Sequence, residues 1–229
     1  MKVLTINSNK TKITSLAAAV AIVGLGAIQA QGQSVLYNFA DNTSDGWANA
    51  GFSSTPAATV ATIGTQNYIA IPLGGFQVAN VAAGSGALFN AMAAAAANPA
   101  GYDISYDYYI NTAGVTGSTY LQVGTFWNQG DGYYHQDYGS PNELQLNGTQ
   151  MASGNVFTGT VTINLAAVGF APVAGDTFYR LGLIANGDGS GVVVDFTNIS
   201  IEPVPEPSSL ALAGLGAMGG LMLFRRRLA

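Results

Sequence analysis

The stretch that decides the fold class is Tyr102-Asp103-Ile104-Ser105-Tyr106-Asp107-Tyr108-Tyr109-Ile110. Its even positions are all aromatic or apolar, whereas its odd positions are mostly polar. A period of two places successive side chains on opposite faces of a β-strand. The pattern therefore predicts a strand with one buried face and one polar face.

Two other segments alternate in the same way. In 156–165 the inward positions are Val161, Ile163 and Leu165, and the outward ones are Thr160, Thr162 and Asn164. In 177–186 the inward positions are Tyr179, Leu181 and Leu183, and the opposite ones are Phe178, Arg180, Gly182 and Ile184. Strands that bury one face each are satisfied by two antiparallel sheets packed face to face.

The rest of residues 33–202 consists of short apolar segments between turn signals such as Asn147-Gly148. The further predicted strands are 34–39, 46–52, 58–63, 67–72, 76–81, 119–127, 133–137, 143–147 and 191–201. One alanine-rich run, 87–97, ends at Asn98-Pro99 and predicts a short helix. The predicted fold is an all-β sandwich, most simply a jelly roll, with one short Ala-rich helix.

The charge distribution excludes a nucleic-acid-binding protein. Charged residues make up 8% of the chain, against roughly 25% in an ordinary soluble domain. Between residues 31 and 204 there are eleven acidic residues and one cation, Arg180, a net charge of −10. Such a body cannot neutralise phosphates, but it could bind hard cations or neutral sugars. The absence of cysteine excludes disulfides and thiolate chemistry.

The N-terminus has the pattern of a secretory signal peptide. Lys2, Lys10 and Lys12 precede an apolar run from Leu16 to Ile28, and small residues follow it. Thirteen apolar residues fall short of the ~20 that span a bilayer, which favours cleavage over an N-terminal anchor. We expect residues 1–30 to be a signal peptide used by the Sec translocon and signal peptidase, cut after Ala30 or Gly32.

The C-terminus, 203–229, carries three features in order. Val204-Pro205-Glu206-Pro207 comes first, an apolar stretch from Leu210 to Phe224 follows, and Arg225-Arg226-Arg227 closes it. The prolines end any strand, and the apolar stretch is about 22 Å long as a helix. Arginines prefer the cytoplasmic side, so the body between the two ends would lie outside the membrane.

These C-terminal features resemble the PEP-CTERM sorting signal. The resemblance implies processing by exosortase in a Gram-negative host that makes exopolysaccharide. It also implies anchoring in the inner membrane before processing, and a place at the cell surface or outside the cell afterwards. An ordinary C-terminal membrane anchor is the alternative.

The body, 33–202, resembles the jelly-roll modules of carbohydrate-binding and lectin-like proteins. The segments that carry the resemblance are 37–39, 45–47, 102–107, 178–183 and 194–201. It implies a non-catalytic sugar-binding fold, often with a structural calcium ion.

A candidate sugar-binding segment lies at 127–138, where aromatic rings alternate with amide and acidic side chains. Its candidate residues are Trp127, Asn128, Gln129, Tyr133, Tyr134, His135, Asp137 and Tyr138. Aromatic rings stack on the C–H faces of sugars, and Asn, Gln and Asp bond the hydroxyls. The alternative is that Trp127 and some of the tyrosines are core or edge residues, because both types are common in strands.

Two further sets are candidates for binding. Asp103, Asp107, Tyr109 and Arg180 predict a clamp of arginine among carboxylates, or a solvated face with an ion pair. Calcium could lie near Asp41, Asp45 and Asp195, or in the Asn186–Ser190 segment, which also reads as a hairpin turn.

Catalysis has little support. His135 is the only histidine, and Glu143 is the only glutamate in the body before Glu202, so no pair of catalytic carboxylates stands out. We therefore expect a non-enzymatic surface or matrix protein, associated with exopolysaccharide. The alternatives are a carbohydrate-binding module acting through 127–138 and, third, a glycan-active enzyme.

Overall fold

The computed structural model describes residues 34–49, 57–138, 143–189 and 191–204. The predicted signal peptide and almost all of the predicted sorting segment lie outside these ranges, so the domain boundaries stay predictions. None of the helices within them has the length and hydropathy needed to cross a membrane.

The described residues form eleven strands and two short helices. The strands are β1 (Val35–Tyr37), β2 (Thr59–Ile63), β3 (Gln66–Pro72), β4 (Gly75–Ala83), β5 (Tyr102–Asn111), β6 (Tyr120–Gln129), β7 (Tyr134–Tyr138), β8 (Gln145–Asn147), β9 (Val156–Asn164), β10 (Tyr179–Gly187) and β11 (Val193–Pro203). The helices are α1 (Gly86–Ala97) and α2 (Gly148–Met151), and a 3₁₀ turn spans Pro99–Gly101.

The strands form two antiparallel sheets. Sheet A has the order β2-β3-β11-β5-β9, and β1 also pairs with β11. Sheet B has the order β4-β10-β6-β7, and β8 also pairs with β6. Most neighbours are distant in sequence, because the chain crosses repeatedly between the sheets. The predicted all-β sandwich is confirmed.

The inner faces of the two sheets form the core. In β5 the even-numbered Tyr102, Ile104, Tyr106 and Ile110 are buried, as their alternation predicts. The inward residues predicted for β9 and β10 are buried too. The largest fully buried side chains include Trp47, Trp127, Tyr106 and Tyr179. The sequence pattern therefore identified the core faces of these three strands correctly.

Helix α1 confirms the alanine-rich prediction and joins the two sheets. It contacts β1 and β11 of sheet A and β4 and β10 of sheet B. Its buried residues are Leu88, Ala91, Met92, Ala95 and Ala96. The small alanine side chains let the helix approach both sheets closely, and it covers apolar core side chains from each.

Near turns, one predicted strand is wrong and one short helix was missed. The predicted strand 46–52 is wrong over its described residues, 46–49, where only Ala48 forms isolated bridges. Asp45 and Gly46 both have positive φ, 49° and 84°, so the chain turns there and cannot continue as a strand. Helix α2 was not predicted, although Asn147 and Gln150 form a reciprocal capping box at its start.

Replacing Trp127 by Ala should destabilise the fold rather than remove a surface group. Trp127 is 0% exposed, and its ring centre lies 6.0 Å from that of Tyr179 and 6.4 Å from that of Phe170. We expect a loss of about 3–5 kcal/mol in the free energy of unfolding, measured by urea denaturation. Tyr134→Ala, at a site 40% exposed, is the matched control and should cost well under half as much. Equal losses would place Trp127 outside the core.

Candidate functional site

The outward face of sheet B combines aromatic, amide and apolar side chains from four strands. Residues that alternate with the buried Trp127, Leu181 and Leu183 lie on this outer face of sheet B. They are Phe76, Val78, Asn80 and Ala82 of β4, Arg180, Gly182, Ile184 and Asn186 of β10, Gln122, Gly124, Phe126 and Asn128 of β6, and Tyr134, Gln136 and Tyr138 of β7. None of these residues is acidic.

A small apolar cluster lies at the centre of this face. Val78, Phe126 and Ile184 pack together, and Tyr138 packs against them. The Phe126 ring crosses directly over Gly182, where an added Cβ would lie only 1.8 Å from a ring carbon. Glycine is therefore required at position 182 for the ring to lie flat on the sheet.

Aromatic pairs extend the cluster towards solvent. The ring centres of Phe76 and Tyr138 are 5.7 Å apart, and those of Phe126 and Tyr134 are 5.9 Å apart. Phe76 is 45% exposed and Tyr134 is 40% exposed. Asn128 lies opposite Tyr134 in the ladder, so a ring and an amide stand side by side at the surface.

Strand alternation divides the predicted segment 127–138 between two faces. Asn128, Tyr134 and Tyr138 lie on the outer face of sheet B, whereas Trp127, His135 and Asp137 point to the inner side. Trp127 is fully buried, so the packing alternative holds for it and its prediction as a sugar-binding residue is corrected. The indole packs in the core, where no surface ligand can reach it.

Three other residues of that segment anchor the chain that precedes β10. The Gln129 amide donates to Val173 O (2.6 Å) and accepts from Val173 N (3.0 Å). The Tyr133 hydroxyl oxygen accepts from Ala171 N (2.6 Å). His135 Nε2 lies 3.2 Å from Val168 O, and its ring packs on Phe170. Their bonds are therefore those of structural residues.

The predicted cluster of Arg180 with Asp103, Asp107 and Tyr109 is wrong. The three β5 residues lie on sheet A, and Arg180 lies on sheet B, so the two sheets separate them. The Arg180 guanidinium carbon is 5.3 Å from the centre of the Phe178 ring, and burial lowers the pKa of Arg180. Asp107 instead accepts hydrogen bonds from Thr160 and from Asn198 (2.7 Å).

The calcium candidates fall in two different places. Thr43 Oγ1 lies 2.7 Å from Asp41 Oδ1 and 3.0 Å from Asp45 Oδ1, which brings those two aspartates together. Asp195 lies within sheet A between Ala70 and Tyr109, is 6% exposed, and has its pKa raised by burial to about 6. Across the described ranges no three acidic or histidine side chains form a metal-binding group. The calcium site stays a prediction.

The Asn186–Ser190 segment has structural bonds over its described part. Asp188 accepts from Thr119 N (2.6 Å), Thr119 Oγ1 (2.6 Å) and Tyr120 N (3.1 Å). These hydrogen bonds, led by that of the Thr119 hydroxyl, lower the pKa of Asp188 to about 2. They favour the interpretation of this segment as a turn that is tied to the start of β6.

Glu143 is a buried acid that sequence reasoning did not assign to a site. It is 8% exposed, and Thr125 Oγ1 donates to its Oε1 (3.1 Å). Its Oε2 and the Asp137 carbonyl oxygen both lie within 2.6 Å of the point where a side chain on Gly124 would begin. Burial, and secondarily Asp137, raise the pKa of Glu143 to about 9. The carboxyl is therefore protonated at neutral pH, and Gly124 leaves the room for it.

Stability should fall as pH rises from neutrality towards 9. The pKa of Glu143 is about 9 in the folded state, against an ordinary 4.5, so the folded protein holds a proton that the unfolded chain releases. We expect the free energy of unfolding to drop by about 2 kcal/mol between pH 7 and pH 9, measured by urea denaturation.

Glu143→Gln should flatten this dependence. The amide oxygen can still accept from Thr125, but the side chain cannot ionise. Glu202→Gln, at an exposed site, is the matched control and should leave the slope unchanged. A wild-type protein whose stability is equal at pH 7 and pH 9 would contradict the protonated state of Glu143.

Comparison with known proteins identifies the C-terminus and the fold. The family model of the PEP-CTERM protein-sorting motif matches residues 203–227. A search of the curated proteins finds no match to the chain.

Solved structures of carbohydrate-binding modules resemble the body. A non-crystalline cellulose specific module, CBM28, aligns with a TM-score of 0.50 and 15% identity, over 73% of this chain and 94% of that one. The CBM22-1 xylan-binding domain of Paenibacillus barcinonensis Xyn10C aligns at 0.42 and 10%, over 76% and 98%. Caldicellulosiruptor saccharolyticus CBM27-1, in complex with mannohexaose, aligns at 0.43 and 10%, over 75% and 97%.

At 10–15% sequence identity, the similarity to these structures concerns the fold alone. Of the three, only the CBM28 alignment, with its TM-score of 0.50, supports that comparison. The chain therefore carries a PEP-CTERM sorting motif, and the β-sandwich that precedes it in sequence is similar in fold to a carbohydrate-binding module.

Proposed function

We propose that this protein is exported, processed by exosortase and retained at the cell surface or in the extracellular matrix, where its β-sandwich associates with exopolysaccharide without catalysis. The sorting motif at 203–227 supports export and membrane anchoring before processing. The Sec translocon and signal peptidase would act first, on residues 1–30. The family model describes this motif as one of protein sorting. We expect the host to be a Gram-negative bacterium.

The outer face of sheet B is the surface that best suits a polysaccharide. The observation that carries this proposal is that exposed rings stand beside half-buried amides there, above all Tyr134 beside Asn128. Rings offer flat apolar area to the C–H faces of sugars, and amides bond hydroxyls in both directions. None of the outward-facing strand residues is acidic, and the carboxyl of Glu143, which occupies the space beside Gly124, is protonated at neutral pH, so this face suits a neutral chain.

A dedicated carbohydrate-binding module is the second candidate function. It would use the part of segment 127–138 that alternation turns outward, Asn128, Tyr134 and Tyr138, together with Phe76 of β4. The Val78–Phe126–Ile184 cluster beneath holds this face in one conformation, which lowers the entropy lost when a ligand binds. A carbohydrate-binding module must bind a defined glycan saturably. A surface protein that associates with exopolysaccharide in general need not do so.

Binding to the host's exopolysaccharide should depend on Tyr134. We expect Tyr134→Ala to weaken binding at least about tenfold in affinity electrophoresis, because a truncated ring loses its stacking area. Tyr109→Ala is the matched control, since Tyr109 lies on the outward face of sheet A and should leave affinity unchanged. If Tyr134→Ala and Tyr109→Ala changed affinity equally, the outer face of sheet B would not be the binding surface. Absence of binding by the wild-type protein would reject the polysaccharide partner.

Processing at both ends should be visible in the intact mass of protein recovered from the host's outer surface. We expect a mass that lacks the residues before about 31–33 and those after about 205, because signal peptidase and exosortase cut there. A mass that retains Leu210 to Ala229 would mean that the tail is an ordinary anchor, and exosortase processing would be rejected.

A further inference from the structure

Within the part of the chain that the structure describes, strand β9 is a long sheet edge that no second strand covers. It is the outermost strand of sheet A and, among the described strands, pairs only with β5, in an unbroken register of nine residues from Val156 to Asn164. Its sequence contains no charged residue and no proline. Edge strands usually carry charges, prolines, bulges or a covering segment, because their unpaired backbone groups otherwise recruit another strand.

The free backbone groups of β9 can be assigned from the bonds at its two ends. Thr112 N donates to Asn155 O (3.0 Å), and Leu165 N donates to Tyr102 O (3.2 Å). Because hydrogen-bonded pairs alternate along an antiparallel ladder, the odd-numbered residues of β9 bond to β5. The even-numbered residues therefore direct their N–H and C=O groups away from the sheet. They are Val156, Thr158, Thr160, Thr162 and Asn164. The Asn164 carbonyl oxygen is not free, because it accepts from Ala167 N (3.0 Å) and Val168 N (3.3 Å).

The other described edges have the protection that β9 lacks. β4 of sheet B is covered at Asn80, where Ala48 exchanges two backbone hydrogen bonds with it (2.8 and 2.9 Å). β7 and β8 are short, at five and three residues, and β7 carries His135 and Asp137. β2, at the far edge of sheet A, has five residues. β9 is nearly twice as long as any of these short edges.

We propose that β9 is a self-association edge, at which two copies of this chain pair antiparallel about a twofold axis and join their A sheets into one. This pairing is self-complementary. Thr160 of one copy faces Thr160 of the other, and Thr158 faces Thr162, and cross-strand threonine pairs are favourable. Thr158, Thr160 and Thr162 on each strand would exchange backbone hydrogen bonds across the axis, so the free groups at the centre of β9 gain partners.

The charge distribution favours this edge over other contacts between copies. The body carries a net charge of −10, so most surfaces of two copies repel each other. The nearest acidic residues, Asp103 and Asp107, lie one strand inward on β5. After pairing, the backbones of the two β5 strands are three strand spacings apart, about 14 Å. The Asp107 carboxylate reaches the Thr160 hydroxyl of β9 and also accepts from Asn198, so two donors stabilise its charge near the join. The join therefore places two uncharged strands together.

Thr158→Pro tests the edge without breaking sheet A. The proline removes an outward N–H, and its ring blocks close approach of a second strand, but no hydrogen bond to β5 is lost. Thr158→Ala, which keeps the N–H, is the matched control. In sedimentation velocity of the mature protein, we expect wild type and Thr158→Ala to dimerise with concentration. Thr158→Pro should raise the dimer dissociation constant at least about tenfold.

A double variant covers the case in which proline disturbs folding. Thr158→Lys with Thr162→Lys places like charges opposite each other across the axis and leaves the backbone unchanged. We expect monomers at low salt and recovery of dimers at about 0.5 M NaCl, where the repulsion is screened. A wild-type protein that stays monomeric at all concentrations, or variants that dimerise as it does, would overturn the proposal.

Discussion

The burial of two aromatic-rich sheet faces is the constraint on which the rest of this structure depends. On the inner face of sheet A, Tyr106 of β5 meets Phe196 of β11 at 5.5 Å between ring centres, and on the inner face of sheet B, Trp127 of β6 meets Tyr179 of β10 at 6.0 Å. All four side chains are fully buried. Because a strand residue can point to only one of two faces, burying these rings also fixes which neighbours point outward. The composition of each outer surface is thus a consequence of the core.

The outer face of sheet B is itself well packed, which distinguishes it from a simple solvated surface. The Phe126 ring lies on Gly182, and Val78 and Ile184 pack beside it. At Gly124 of the same face, the missing side chain leaves room for the protonated carboxyl of Glu143, to which Thr125 of β6 donates a hydrogen bond. Glycine at these two positions lets bulky groups approach the sheet backbone closely. A platform held in this way presents Tyr134 and Asn128 in a defined arrangement, as a binding surface requires.

Charge is distributed unevenly over the sandwich. Acidic side chains lie in the loops, on strands β5, β7 and β11, and beside Gly124, but none belongs to the outward-facing strand positions of sheet B or to strand β9. The acidic side chains elsewhere on the body repel other anionic molecules. Electrostatic repulsion is therefore weakest at the outer face of sheet B and at β9, where a neutral polymer or a second copy of the chain could make contact. Both fit a protein that is exported and sorted to the cell exterior.

The sequence by itself determined the strands, the helix α1 and the sorting motif. Alternation, turn residues and helix propensity act over a few neighbouring residues, and the motif at 203–227 is contiguous, so no tertiary information is needed for them. The predicted ends of strands were wrong where a residue with a positive φ turns the chain. Phe39, with φ 55°, lies just beyond the early end of β1, and Asp45 and Gly46 turn the chain where a strand was expected.

The tertiary structure alone decided which side chains share a surface. The adjacent Phe126 and Trp127 make both faces of β6 apolar, so alternation could not tell which ring enters the main core. Arg180 and Asp107 were expected to lie together, but β10 and β5 belong to different sheets. The burial of Glu143 beside Gly124 and Thr125 also depends on the fold, because these residues lie on β6 and are distant from it in sequence. Strand order is set by loop closure and by packing between distant segments, and no local pattern in the chain encodes it.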